Sequence, residues 1–240
     1  MKTDFRVRSF ESRIAMNDAL TERLAWEIEQ TGRGPVALML SGGNTPLQAY
    51  QNLAGRSLSA PSSLEIFFSD ERYVPPTSDA SNFRAARPLL ESLALPAERI
   101  LRVRTELPLE RAVEDYERRL RALMRSAARM PLGVLGLGAD GHTASLFTEG
   151  DLQRANGKLA VSVQRPDGRS AVTVTPQVLS RISELVFLVA GTDKRAALKA
   201  LVERKKESIA ARAVAGSPNV EIWADRDAWP PAPPQPGPSW

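Results

Sequence analysis

The chain alternates between short, continuous apolar runs and longer stretches whose apolar residues recur at helical spacing. Runs at Val36–Leu40 and 132–137 read as buried strands, because near-unbroken apolarity leaves no side for solvent, and 5–10, Leu64–Phe68 and 185–190 read as further strands. Shorter strands are expected at 100–103, 159–163, Ser170–Val174 and 220–223. Between them, Ile14, Leu20, Leu24 and Ile28 form an apolar stripe on a helix over 14–30. Val113, Tyr116, Leu120 and Leu123 do the same on a long helix over 109–130. Further helices are expected at 46–54, with Pro46 in the first turn, and from a Ser81 cap toward Leu90. Others follow at 176–182 and through Leu198 and Ile209. Strand–helix alternation of this kind predicts an α/β fold with a mostly parallel sheet and helices on both faces.

This pattern reads as a single α/β domain over residues 1–228. From Trp229 it stops. Prolines at 230, 231, 233, 234, 236 and 238 cannot donate to a ladder or a helix, so 229–240 is expected to be a proline-rich, flexible tail. Composition adds little against a globular reading: 42% hydrophobic and 25% charged residues support a packed core. No apolar run approaches the roughly 20 residues that span a bilayer, so no membrane partner is expected. The first residues do not lead into a secretory apolar stretch. Cysteine is absent, which excludes disulfides and thiol chemistry and fits a cytoplasmic location. The net charge of +4 favours anionic ligands. Basic and aromatic residues are not interleaved, so nucleic acid is not an expected partner.

The chemistry concentrates at three strand ends. Gly136-Leu137-Gly138-Ala139-Asp140-Gly141-His142 follows the apolar run at 132–137 and holds the only histidine of the chain. Imidazole is the one side chain that ordinarily titrates near neutrality, so proton transfer through imidazole falls to His142. Asp140, two residues away, is placed to orient the ring. Thr143, Ala144, Ser145 and Leu146 are expected to open a helix. The glycines do not complete a dinucleotide fingerprint, and no Gly-x-Ser-x-Gly elbow is present.

Ser41-Gly42-Gly43-Asn44-Thr45 joins a strand to a helix. Its glycines let backbone N–H groups approach an anion, the helix N-terminus adds partial positive charge, and Thr45 offers a hydroxyl. Asp70-Glu71-Arg72 follows the strand at Leu64–Phe68. Arg72 is suited to a phosphate, with Asp70 or Glu71 orienting it or a sugar hydroxyl. Lys194 opens a helix, where a cation is disfavoured unless an anion is near.

Three blocks in order resemble the 6-phosphogluconolactonase family, within the glucosamine-6-phosphate isomerase/6-phosphogluconolactonase superfamily. They are Leu40-Ser41-Gly42-Gly43-Asn44-Thr45-Pro46, Asp70-Glu71-Arg72-Tyr73-Val74-Pro75 with Ser81-Asn82, and Asp140-Gly141-His142-Thr143-Ala144-Ser145-Leu146-Phe147. Gly191-Thr192-Asp193-Lys194 is a weaker fourth match. Asn44 stands where serine is common, and Thr148 follows Phe147 where proline is frequent. The resemblance implies a modified Rossmann-like fold and hydrolysis of 6-phospho-D-glucono-1,5-lactone to 6-phosphogluconate in the oxidative pentose phosphate pathway. It implies His142 and Asp140 as the catalytic pair. It also implies substrate and phosphate contacts from Gly42, Gly43, Asn44, Thr45, Asp70, Arg72, Arg169 and Lys194, with Arg169 read as the arginine before a threonine-rich strand. The partner is then a small sugar-phosphate lactone, with neither metal nor cofactor, acted on by a monomer. Two alternatives stand beside this reading: a glucosamine-6-phosphate deaminase/isomerase, and a non-catalytic sugar-phosphate-binding protein with no need of His142.

Overall fold

A computed structural model of the protein describes residues 4–29, 34–56, 58, 60–61, 63–126 and 128–230. Its centre is a parallel sheet of seven strands. In chain order these are β1 (Asp4–Phe10), β2 (Val36–Leu40), β3 (Leu64–Phe68), β5 (Ile100–Leu101), β6 (Leu132–Gly136), β9 (Glu184–Val189) and β10 (Asn219–Asp225). Their order across the sheet is β1-β10-β9-β6-β2-β3-β5. The chain winds outward from β2 through β3 to β5. It then returns and winds the other way from β6 through β9 to β10. The direction reverses between β2 and β6, and the carboxyl ends of these two strands open the crevice where doubly wound sheets take their ligands.

Helices cover both faces. α1 (Arg13–Glu29), α2 (Leu47–Ala54) and α3 (Asn82–Ser92) lie on one; α4 (Leu109–Arg125), α7 (Arg195–Val202) and α8 (Ile209–Ala213) lie on the other. Strand β2 shows why its sequence reads as unbroken apolarity. Val36, Leu38 and Leu40 enter the core under α1 to α3, while Ala37 and Met39 enter the core under α4. Alternating side chains point to opposite faces, so both sets must be apolar when both faces are covered.

The long amphipathic helix ends at Arg125 rather than at 130, with Tyr116, Leu120 and Leu123 inside. β5 is only two residues long, because pairing to β3 stops at Leu101. In α1 the buried stripe runs through Met16, Leu20, Leu24 and Ile28, and Ile14 lies outside it, 69% exposed. Trp229 packs against the main core, and its amide donates to the Asp225 carbonyl at 2.9 Å, so it belongs to the domain rather than to a tail. The remainder of the proline-rich segment, 231–240, lies outside the described residues.

A second sheet departs from the sequence-based picture. β4 (Asp70–Arg72), β7 (Ala160–Gln164) and β8 (Ser170–Val174) form an antiparallel sheet in the order β4-β8-β7. The charged segment Asp70-Glu71-Arg72 is therefore strand, not loop. It continues from β3 past Ser69 and pairs residue for residue with Thr173, Val172 and Ala171. This sheet forms a wall beside the crevice. The two remaining helices are short: α5 (Glu149–Arg154) and α6 (Pro176–Leu179).

Candidate active site

The loop after β2 is held from below. The buried Tyr50 hydroxyl donates to the Ser41 carbonyl at 2.9 Å and accepts from the Ser41 amide at 3.3 Å. Arg13 donates to the Asn44 carbonyl. Gly42 packs so tightly on Asn82 that a Cβ would lie 1.8 Å from the Asn82 Oδ1 atom, so no other residue fits without moving it. Gly43 adopts φ +91° over open space. Among the described residues no protein acceptor takes the amides of Gly42, Gly43 or Asn44. Free amides beside a helix beginning at Leu47 give this loop the chemistry by which proteins hold anions.

The loop after β6 folds on itself. Gly138 donates its amide to the His142 carbonyl at 2.8 Å, and Gly141 donates to the Gly138 carbonyl at 3.0 Å. The expected helix at 143–146 does not form. Thr143 and Leu146 pair as a β-bridge, Ala144 takes φ +49°, and Thr143 Oγ1 donates to the Gly136 carbonyl at 2.9 Å. The helix begins only at Glu149, where Thr148 and Asp151 form a reciprocal capping box.

This fold of the loop brings His142 Nδ1 to 2.5 Å from Asp140 Oδ1. A carboxylate only accepts, so the ring nitrogen facing it carries the proton and Nε2 is left as the acceptor. Burial works to raise the Asp140 pKa, but the hydrogen bond and charge of His142 outweigh it and hold the carboxyl below its usual range. Gly138 makes room for the pair. A Cβ there would stand 2.0 Å from His142 Nδ1 and 2.3 Å from Asp140 Oδ1. The Phe147 ring packs on the imidazole with centroids 4.3 Å apart.

A cleft of about 330 Å³ joins these loops. Gly42, Gly43, Asn44, Thr45, Asp70, Arg72, His142 and Lys194 line it together. Arg169 does not. Its side chain is half exposed and pairs with Asp167 at 2.9 Å. The arginine at this wall of the cleft is Arg165, at the other side of the β7–β8 turn. The two arginines face each other across the hairpin, with the Arg165 amide donating to the Arg169 carbonyl at 2.8 Å. The hairpin register and its distant partners distinguish them, and no local signal in the sequence carries either.

Asp70 lines the cleft with its carboxylate already engaged. It is buried, and both carboxylate oxygens are taken by hydroxyls: Ser69 Oγ at 2.8 Å and Ser145 Oγ at 2.6 Å. Glu71 turns away from the cleft. It accepts from the amides of Asn82 at 2.7 Å and Phe83 at 2.8 Å, and from Ser81 Oγ at 3.1 Å, and so caps α3 from outside that helix. Arg72 donates to the Ala80 carbonyl at 2.9 Å, which leaves its other N–H groups for a ligand.

Burial pushes the Glu71 carboxyl up, and the negative Asp70 adds to this against the pull of the Phe83 and Asn82 amides. A raised folded-state pKa means that Glu71 contributes most to stability below its ordinary value, and less as pH rises through the raised one. Glu71→Gln is expected to cost about 1–3 kcal/mol, since an amide cannot accept at both positions. Denaturant melts should show the gap between native and variant narrowing as pH rises. A gap that widens with pH would show that ionised Glu71 is the favoured form.

A doubly wound parallel sheet with a glycine-rich turn at its switch point and a carboxylate-paired imidazole at the same cleft defines a class, that of α/β proteins with a ligand cleft at the carboxyl edge of the sheet. Residues 11–223 match the family model described as glucosamine-6-phosphate isomerases/6-phosphogluconolactonase, and the chain belongs to this family. A 6-phosphogluconolactonase of Thermotoga maritima is 36% identical over 183 residues, 74% of this chain and 80% of its own length. A human 6-phosphogluconolactonase is 33% identical over 186 residues, 73% and 72% of the two chains. The crystal structure of 6-phosphogluconolactonase from Thermotoga maritima superposes with a TM-score of 0.79 at 29% identity, covering 92% of this chain and all of that one. No described helix is long and apolar enough to cross a membrane.

Proposed function

We propose that the protein hydrolyses 6-phospho-D-glucono-1,5-lactone to 6-phosphogluconate, in the oxidative pentose phosphate pathway, as a cytoplasmic, monomeric enzyme. The observation that carries this reading is the His142–Asp140 pair at the same cleft as the turn of Gly42 to Thr45 with its free amides. A lactone is an internal ester, so its opening needs an activated water and stabilisation of a tetrahedral oxyanion. His142 Nε2 takes the proton of the attacking water, Asp140 steadies the imidazolium, and the ring returns the proton to the departing oxygen. The Gly138 and Gly141 amides are spent inside their own loop. The developing oxyanion is therefore served by the cationic side chains of the cleft, among them Lys194.

The amides of Gly42 to Asn44, the Thr45 hydroxyl, Arg72 and Arg165 hold the phosphate. The isomerase reading draws on the same family, but the named relatives above are lactonases. A sensor would leave the His142–Asp140 pair without a task. The deciding experiment is an assay of lactone opening, corrected for spontaneous hydrolysis, beside an assay for deamination of glucosamine 6-phosphate. Turnover of the amino sugar alone would overturn the proposal.

Arg72→Ala is expected to raise KM for the phosphorylated lactone by about 10- to 150-fold, equivalent to roughly 1.5–3 kcal/mol for a charge-assisted hydrogen bond. Arg169→Ala should change it little, because that side chain is engaged with Asp167 outside the cleft. Comparison with unphosphorylated gluconolactone checks the assignment, since equal losses on both would place Arg72 in structure or chemistry instead. Removal of residues 231–240 is expected to leave turnover within about twofold, as terminal segments seldom support a core. A large fall in melting temperature would contradict this.

A further inference from the structure

One wall of the cleft carries a run of polar contacts that water activation does not use. Asp70 Oδ2 receives the Ser145 hydroxyl at 2.6 Å, and Ser145 Oγ in turn accepts from Arg165 Nη1 at 3.2 Å. A hydroxyl has one proton to give and lone pairs to accept with, so Ser145 serves the carboxylate and the guanidinium at once. It cannot turn to a ligand instead. The residue is fully buried, and its amide is fixed on Thr173 Oγ1 at 3.2 Å.

The guanidinium of Arg165 has two further neighbours. Its Nε lies 3.3 Å from Asp167 Oδ2, and its carbon lies 5.3 Å from the centre of the Phe147 ring, the same ring that packs on His142. Arg169 provides an internal comparison. Both arginines pair with Asp167, but only Arg165 also has Ser145, and only Arg165 lines the cleft. A partly exposed ion pair by itself fixes a long side chain weakly. A second anchor, backed by a buried carboxylate, fixes the plane of the fork and so the direction of its remaining donors.

We propose that Ser145 is a positioning residue, which transmits the buried Asp70 carboxylate to Arg165 and sets the guanidinium to receive the ligand's phosphate. This rests on the reading of the cleft as a sugar-phosphate site. The motif containing His142 thereby serves both ends of the substrate: His142 acts at the lactone carbonyl, and Ser145, three residues on, acts through Arg165 at the phosphate.

The test uses Ser145→Ala, Arg165→Ala and the double variant of the full chain, each assayed with the phosphorylated lactone and with plain gluconolactone. Calorimetric titration with 6-phosphogluconate accompanies the kinetics. Ser145→Ala should raise KM for the phosphorylated lactone and Kd for the product by about tenfold, the loss of one charge-assisted contact. It should leave kcat within about twofold and plain lactone turnover unchanged. It should add nothing on the Arg165→Ala background, because the hydroxyl then has nothing to position. Equal losses on both lactones, or effects that add in the double variant, would overturn the proposal in favour of a packing role. If Arg165→Ala weakens phosphate binding and Ser145→Ala does not, the relay alone is wrong. If Arg165→Ala leaves the preference for the phosphorylated lactone intact, the phosphate reading of this wall fails with it. Should Ser145→Ala not fold, Ser145→Cys keeps the volume, offers only a weak donor and acceptor, and is expected to give the same split.

Discussion

His142→Asn is expected to lower kcat by about 10²–10⁴-fold, the usual contribution of a positioned general acid–base. Binding of 6-phosphogluconate should change little, because the turn of Gly42 to Thr45 and Arg72 are untouched. The native enzyme should lose activity as pH falls, since a protonated imidazole cannot accept the proton of water. Asp140 does not share in that decline at first. Its carboxyl is held below the usual carboxylate range by the hydrogen bond and charge of His142. The contribution of the Asp140 contact to stability is present above the ordinary carboxylate value and is lost only as pH falls through the depressed one. His142→Asn has no imidazole to protonate, so its residual activity should be flat where the native profile falls. A folded variant with near-native turnover would remove His142 from the chemistry.

Gly138→Ala should nearly reproduce that loss without touching a reacting group. The added Cβ would lie 2.0 Å from His142 Nδ1 and 2.3 Å from Asp140 Oδ1, so the imidazole and carboxylate cannot both keep their places. The atoms it meets are side-chain ends and not backbone, so the fold can accommodate the methyl group by displacing the pair. Misplacement of a catalytic group by about 1 Å costs on the order of 10²-fold, and a fall in kcat of that order is expected with little change in melting temperature. Steady-state kinetics beside a thermal melt checks this. A variant with full activity would show that the His142–Asp140 contact does not matter to turnover, and one that unfolds would show that the loop tolerates no methyl group at all.

Much of the protein was legible along the chain. Four strands of the large sheet, β2, β3, β6 and β9, could be read from apolar runs, because a strand covered on both faces has few polar positions to confuse with anything else. β2 is the plainest example, feeding one core with Leu38 and the other with Met39. Pro46 and the Ser81 cap marked helix starts by local chemistry, and the Ser81 side chain does accept from the Arg84 amide. The glycine-rich turn after β2 and the histidine turn after β6 were legible for the same reason, since glycine and a lone imidazole stand out whatever surrounds them.

What failed to show in the sequence depends on partners distant in the chain. Asp70-Glu71-Arg72 has no apolar pattern, yet it becomes a strand because β8 supplies its pairing and hydroxyls bury its carboxylate. Ile14 and Met16 are both apolar and near the start of one helix, and the helical phase of Leu20, Leu24 and Ile28 puts Met16 inside and Ile14 outside. Thr143 to Leu146 has ordinary residues for a helix, but the Thr143 hydroxyl reaches back to Gly136 and the chain turns instead. The choice of Arg165 over Arg169 was likewise made by hairpin register and by Ser145, twenty residues earlier. Local composition and periodicity thus determined most of the strands, the two-sided core and the candidate site residues of this protein. Tertiary structure decided which of those residues meet, because a contact between remote side chains depends on the angle and register at which their elements pack.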